Sequence, residues 1–185
     1  MLFEVAVALA EQALRSQEAP DWDAALNLAV RRQKRHFDVL VPAAVEDADR
    51  AAASQVASNL VLMLRAECAE DSAVPLVVGP EVPGFEWIAS SSGDFSVGRT
   101  LIEVKCTRGN FSAADYRQVL LYWLLSFASS VEKRTHEWSR IVLMNPRRCT
   151  SVAMTSDELV HLLAAGRSKV EVLELFAAMI SDGRG

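Results

Sequence analysis

The 185-residue sequence predicts an α/β fold, a central mixed sheet of four to five strands flanked by helices, on three observations. Several short apolar runs are bounded by Gly, Pro and Asn, as strands are. A long apolar segment with a helix-capping serine at its head, Ser112 to Ser129, separates two of these runs. Helical periodicity marks both ends of the chain, and strands sandwiched by helices make an α/β layer arrangement. At 51% hydrophobic residues, apolar side chains suffice for a full core. The expected organisation is a helical N-terminal extension over residues 1–42, a core over 43–154, and C-terminal helices over 155–185 packed on that core.

The elements follow in order. Val5, Leu9, Leu14 and nearby alanines make an apolar stripe on a helix from Leu2 to about Ser16, which Pro20 breaks. Asp21 or Asp23 caps a second helix to about Arg35, with Leu26, Leu28 and Val30 inside it. Phe37 to Val41 reads as a short strand or extended link closed by Pro42. A long helix runs from Ala43 to about Ala69, with Glu46, Asp47 and Asp49 at the end where a helix favours negative charge. Its stretch from Val56 to Leu64 is strongly apolar and expected to be buried. Val74–Val78 and Phe85–Ala89 read as strands, with Gly79, Pro80, Pro83 and Gly84 between them. Asp94–Val97 and Thr100–Cys106 follow, and the Gly98-Arg99 link between them suits a hairpin. After the Ser112 helix, Arg140–Met144 is a strand stopped by Asn145-Pro146, and Cys149–Met154 adds another. Ser156, Asp157 and Glu158 open a helix to about Ala165, and Lys169–Ile180 forms the last one.

Composition excludes several classes. No apolar run reaches the roughly 20 residues a membrane-spanning helix needs. The N-terminus has no basic region and already carries Glu4, unlike a secretory signal, so a cytoplasmic location and no membrane partner are expected. Cys68, Cys106 and Cys149 lack the spacing of a zinc or redox motif. A net charge of −5 argues against coating nucleic acid by charge alone, although local basic patches matter more than the sum. The densest patch is Arg31-Arg32-Gln33-Lys34-Arg35-His36, with smaller ones at Lys133-Arg134 and Arg147-Arg148. Arg31, Arg32, Lys34 and Arg35, with Arg117, are candidates for nucleic-acid contact.

The chemistry concentrates between Gly93 and Tyr122. Strand alternation puts Glu103 and Lys105 on one face and Ile102 and Val104 on the other. A carboxylate and an ammonium on so apolar a strand each need a partner. Asp94 lies one hairpin upstream and comes opposite Glu103 if the two strands pair. Two carboxylates that close repel each other unless a cation sits between them. Mg²⁺ takes oxygen ligands, keeps several waters and commonly uses one or two carboxylates plus a substrate phosphate. Asp94, Glu103 and the Val104 main-chain carbonyl are therefore candidate ligands for Mg²⁺ or Mn²⁺. The metal would activate a water and polarise the scissile phosphate, with Lys105 orienting that water or steadying the developing charge. On the following helix Asp115, Gln118 and Tyr122 share a face, and a polar stripe on so apolar a helix faces either water or a site.

Together these residues resemble the PD-(D/E)XK nuclease superfamily, with Asp94 as its first acid and Glu103-Val104-Lys105 as its Glu-x-Lys. Gln118-x-x-x-Tyr122 resembles the tail motif of the RecB-like branch. The likeness spans roughly Ala43 to Met154 and implies a restriction-endonuclease-like core. It also implies a Mg²⁺- or Mn²⁺-dependent nuclease hydrolysing DNA phosphodiester bonds in phage defence, restriction or DNA processing. Asp94, Glu103, Lys105, Gln118 and Tyr122 would be its catalytic set. Two positions depart from the pattern. Gly93 stands where a proline often precedes the first acid, and Asn59 stands on the first core helix where Glu or His is often found. Asn59 would support a metal-bound water, with Glu81 and Glu86 as substitutes for the absent acid. The competing expectation is an inactive module of the same fold that binds DNA or a partner subunit. RNA is an open alternative as substrate. The small size implies a partner protein, and the apolar helical extensions offer a homodimer face.

Overall fold

Alanine-rich, β-branch-poor sequence makes the first part of the chain helical. The structure is a computed structural model and describes residues 2–16, 18–34, 45–70, 74–133 and 135–182. Helices α1 (Leu2–Arg15), α2 (Trp22–Lys34) and α3 (Asp47–Glu70) come first. Asp21, not Asp23, caps α2: its Oδ1 accepts the N–H groups of Asp23 at 2.9 Å and Ala24 at 3.1 Å. Helix α1 packs against both α2 and α3, and buried Ala25, Ala29, Ala53 and Ala57 let the helices close together. In α3, Leu60, Val61 and Leu64 are buried while Leu62 is 65% exposed, so the apolar stretch at 56–64 is covered on one side only. The expected strand at 37–41, its stop at Pro42 and the boundary at residue 42 lie outside the described residues.

The chain divides into two compact units. One holds residues 1–71 with the short segments 106–108 and 145–150; the other holds 72–105, 109–144 and 151–185. The second unit carries most of the sheet. Its elements, apart from Asn145 at the end of β6 and Thr150 at the start of β7, are β1 (Leu76–Val78), β2 (Glu81–Val82), β3 (Ser91–Ser92), β4 (Phe95–Val97), β5 (Thr100–Val104), α4 (Ala113–Lys133), β6 (Arg140–Asn145), β7 (Thr150–Thr155), α5 (Ser156–Leu163) and α6 (Lys169–Asp182). The sheet runs β1-β4-β5-β6-β7 and is mixed: β1 with β4 and β4 with β5 are antiparallel, whereas β5 with β6 is parallel. The α/β class with helices flanking a mixed five-stranded sheet is therefore as the sequence implies. Gly98 at φ 54° supplies the positive φ of the two-residue turn that sets Val97 opposite Thr100. A parallel pair needs a crossover, and α4 provides it.

One expected strand is absent. Phe85–Ala89 is a tight turn in which Phe85 and Ile88 exchange main-chain hydrogen bonds at 3.0 and 2.9 Å, with Glu86 in the left-handed region at φ 54°. Its flanks, β2 and β3, pair instead as a separate two-stranded sheet. Gly84 is required there, because a Cβ would lie 2.6 Å from the Ile88 carbonyl oxygen.

Leu101 and Glu103 of β5 and Ile141 and Leu143 of β6 face α4. Ile141 and Leu143 pack with Val119, Trp123 and Leu124 of α4 and with Leu159 and Val160 of α5. Leu101 packs with Val82, Leu125 and Trp138. Each large side chain buried in this way contributes about 1.5–3 kcal/mol. This packing fixes the face of α4 that meets β5, and so which of its polar residues reach Glu103. Among the described residues no helix is long and apolar enough to cross a membrane.

Candidate active site

The hairpin register places Phe95 opposite Ile102, so the next residues outward, Asp94 and Glu103, come face to face. Main-chain bonds fix Asp94: its carbonyl accepts the Gly79 N–H at 2.9 Å, and its Oδ2 accepts the Val104 N–H at 2.8 Å. The neighbouring Gly93 N–H donates to the Pro80 carbonyl at 2.9 Å, a bond proline cannot make. A Cβ at Gly93 would also lie 3.0 Å from Leu101 Cδ1. Glycine before Asp94 thus has a local physical reason.

Glu103 is 3% exposed, and its two oxygens differ sharply. Oε1 accepts from Lys105 Nζ at 2.8 Å and from Gln118 Nε2 at 2.8 Å. Oε2 is buried without a hydrogen-bond partner. Lys105 Nζ also donates to Gln118 Oε1 at 2.8 Å, and Gln118 Nε2 donates to the Tyr122 hydroxyl at 3.0 Å. Lys105 is further placed by its main-chain N–H, which donates to the Met144 carbonyl at 2.8 Å. The i, i+4 spacing of Gln118 and Tyr122 and the i, i+2 spacing of Glu103 and Lys105 thus bring all four side chains into one network beside Asp94.

Burial pushes the Tyr122 hydroxyl above its ordinary pKa. The Gln118 hydrogen bond and the Lys105 charge act the other way, and the charges of Glu103 and Asp94 add to the rise. Tyr122 therefore stays a phenol, with a proton to donate. Lys105 has three N–H groups and gives two to Glu103 and Gln118, which leaves one for a ligand.

A carboxylate oxygen that is buried without a partner is costly. A divalent cation held by Glu103 and Asp94 would remove that penalty, and the all-oxygen donor set with the Val104 carbonyl suits a hard ion. Among the described residues no group of three or more His, Cys, Asp and Glu side chains converges, so the protein would supply only two charged ligands.

No protein-family model, curated protein or solved structure matches this chain. Its chemistry has to be read from the site itself.

None of the other described candidates takes part in this hydrogen-bond network. Asp115 shares the helix face of Gln118 but serves as a cap: its Oδ2 accepts the Ser112 N–H at 2.7 Å and the Ser112 hydroxyl at 2.8 Å. Asn59 is in the first unit, where its Nδ2 donates to the Pro146 carbonyl at 2.8 Å and its Oδ1 accepts from Gln55 at 2.9 Å. Glu81 is exposed on β2, and Glu86 is at the tip of the 85–88 turn. Arg117, Arg31 and Lys34 are exposed, whereas Arg32 forms a two-pronged pair with buried Glu11, both bonds at 2.9 Å. Arg35 lies outside the described residues.

The sequence reading missed Asn145, which is 1% exposed. Its Nδ2 donates to the Thr107 carbonyl at 2.9 Å, and its Oδ1 accepts the Arg147 N–H at 3.1 Å. The Asn-Pro pair signals a turn, and that turn is present, but nothing local announces the bond to Thr107. Glu137 was missed too. Its Oε1 accepts from Trp123 Nε1 at 2.9 Å, Lys169 Nζ at 2.8 Å and Ser156 Oγ at 3.3 Å, tying α4, α5 and α6 together.

Proposed function

We propose that this protein is a divalent-metal-dependent nuclease that hydrolyses DNA phosphodiester bonds through a metal-activated water. Its role would be defence against foreign DNA or DNA processing. The observation that carries the reading is the buried, unpartnered Oε2 of Glu103, a residue that the hairpin register sets opposite Asp94, with Lys105 on the other oxygen of the same carboxylate. Asp94, Glu103 and the Val104 carbonyl would hold Mg²⁺ or Mn²⁺. When bound, such an ion polarises the phosphate and lowers the pKa of its water. The chain's own groups do the rest. Lys105 presents its remaining N–H to charge developing on a phosphate oxygen. Gln118 holds Lys105 and Glu103 in register, so neither side chain has to find its position during the reaction. Tyr122 offers a proton to a phosphate oxygen and accepts from Gln118.

Incubation with linear, circular and single-stranded DNA and with RNA, in Mg²⁺ or Mn²⁺, tests this. Metal-dependent cleavage is expected, and Lys105→Ala should slow it roughly 10²–10³-fold, the scale set by removing one charge-stabilising donor. Absence of cleavage on every substrate, or a rate indifferent to Lys105→Ala, would sink the proposal. One observation favours a second reading, a non-cleaving module that binds DNA or a partner subunit: only two carboxylates converge at the site among the described residues. That reading expects no heat of divalent-metal binding.

A further inference from the structure

In a chain with net charge −5, two segments of the first unit carry arginine and no acid. The segment after β5 reads Cys106-Thr-Arg108, and the one after β6 reads Asn145-Pro-Arg147-Arg148-Cys149-Thr150. No Asp or Glu occurs between Lys105 and Asp115, or between Arg140 and Asp157. The two segments are tied together. Buried Asn145 reaches across to the Thr107 carbonyl at 2.9 Å and at the same time holds the Arg147 N–H at 3.1 Å. The Arg148 N–H closes the turn on the Asn145 carbonyl at 3.2 Å, and Asn59 braces the turn by donating to the Pro146 carbonyl at 2.8 Å. Arg147 also acts electrostatically on the neighbouring segment: burial raises the Cys106 thiol, and the Arg147 charge works against that rise. Arg108, Arg147 and Arg148 are all exposed.

We infer that these two tied segments are a binding site for the sugar–phosphate backbone of a nucleic acid, with Arg108, Arg147 and Arg148 taking phosphate oxygens. The inference deepens the nuclease reading by naming a surface that grips its substrate, and as a binding statement it also stands without cleavage. Arginine presents a planar fork of donors that matches phosphate, and a site of this kind gains when its backbone is fixed in advance. Asn145 supplies that fixing. Its side chain bonds to the main chain of both segments, so it fixes the backbone that carries the arginines. Contacts to phosphate carry no sequence information, so binding should be indifferent to sequence and steep in salt.

Anisotropy titrations of a short fluorescein-labelled DNA duplex against the full chain in EDTA, over a salt series, test this. Replacing all three arginines (R108A/R147A/R148A) should weaken binding at least about tenfold at low salt. It should also flatten the log–log salt dependence by about two to three phosphate contacts, near one per arginine lost. R147K/R148K, which keeps the charge, should retain most of the salt dependence and lose part of the affinity. Thermal melts of each variant establish that it is folded. Unchanged affinity and slope in the folded triple variant overturn the inference, whatever the cleavage assay shows. Equal binding of polyglutamate by the wild type overturns it in favour of a site for acidic protein. Conversely, a wild type that binds DNA through these arginines yet never cleaves it keeps this inference and removes the nuclease reading.

Discussion

The second unit contains two glutamate–lysine pairs with the same 2.8 Å separation and opposite character. At Glu137 the carboxylate oxygen collects donors from Trp123, Lys169 and Ser156, and the Lys169 ammonium lies 5.6 Å from the centroid of the Trp123 ring. Lys169 also reaches Ser156 Oγ at 2.7 Å and Asp157 at 3.2 Å. Burial alone would raise the Glu137 carboxyl, but hydrogen bonds from Lys169, Trp123 and Ser156 and the Lys169 charge outweigh it, so it titrates below its ordinary value. At Glu103 one oxygen is doubly bonded and the other is buried with nothing. The comparison separates a polar cluster completed by the protein from one that the protein leaves incomplete. The first has the form of a structural brace, and the second is where a ligand has energy to gain.

The largest difference should appear on exchanging each glutamate for its neutral isostere. Glu103→Gln should lower metal-dependent cleavage by roughly 10²-fold or more, while the melting temperature in metal-free buffer stays the same or rises. Loss of stability in that variant would mean that Glu103, like Glu137, is a brace. Glu137→Gln should do the reverse, removing about 1–3 kcal/mol of stability as the Lys169 and Trp123 donors lose a charged acceptor, with the cleavage rate intact once folded.

A smaller effect is the pH dependence of the brace. The folded Glu137 carboxyl is depressed below 4.5, so its stabilisation is fully present above that pH and is lost as pH falls toward the folded value. Lys169 moves the other way. Burial lowers it, but the bonds and charges of Glu137 and Asp157 leave it above 10.5. Its stabilisation is present below that pH and is lost as pH rises through the folded value. Subtracting Glu137→Gln melting curves from wild-type ones across pH should give a plateau that falls at both ends. A flat difference would remove the ion pair from the account. Smallest is Tyr122→Phe, which deletes the acceptor of the Gln118 bond together with the phenol proton offered to phosphate; at about 0.5–1.5 kcal/mol for a neutral hydrogen bond, it should read as a few-fold loss of cleavage with metal binding unchanged.

The same contrast explains what the sequence could say. Glu103 and Lys105 are two residues apart and Gln118 and Tyr122 four apart, so strand and helix periods are enough to align them. The Gly98-Arg99 turn brings Asp94 into line by local rules as well. Glu137 and Lys169 are separated by 32 residues, and Asn145 and Thr107 by 38, so only the folded packing joins them. Asp115 shows a different limit, since its spacing suits both a site residue and a helix cap, and Ser112 three residues before it decides for the cap. The apolar stretch 85–89 has strand composition, but Glu86 adopts a positive φ and Trp87 donates instead to the Ile180 carbonyl at 3.0 Å. Tertiary partners therefore overrode propensity there.

The central claim, that Glu103 is left incomplete for a divalent cation, is tested most directly by calorimetric titration of Mn²⁺ into the wild type and Glu103→Gln. One binding event per chain in the wild type, abolished by Glu103→Gln, is the predicted result. No heat in the wild type, or the same heat in both proteins, would contradict it.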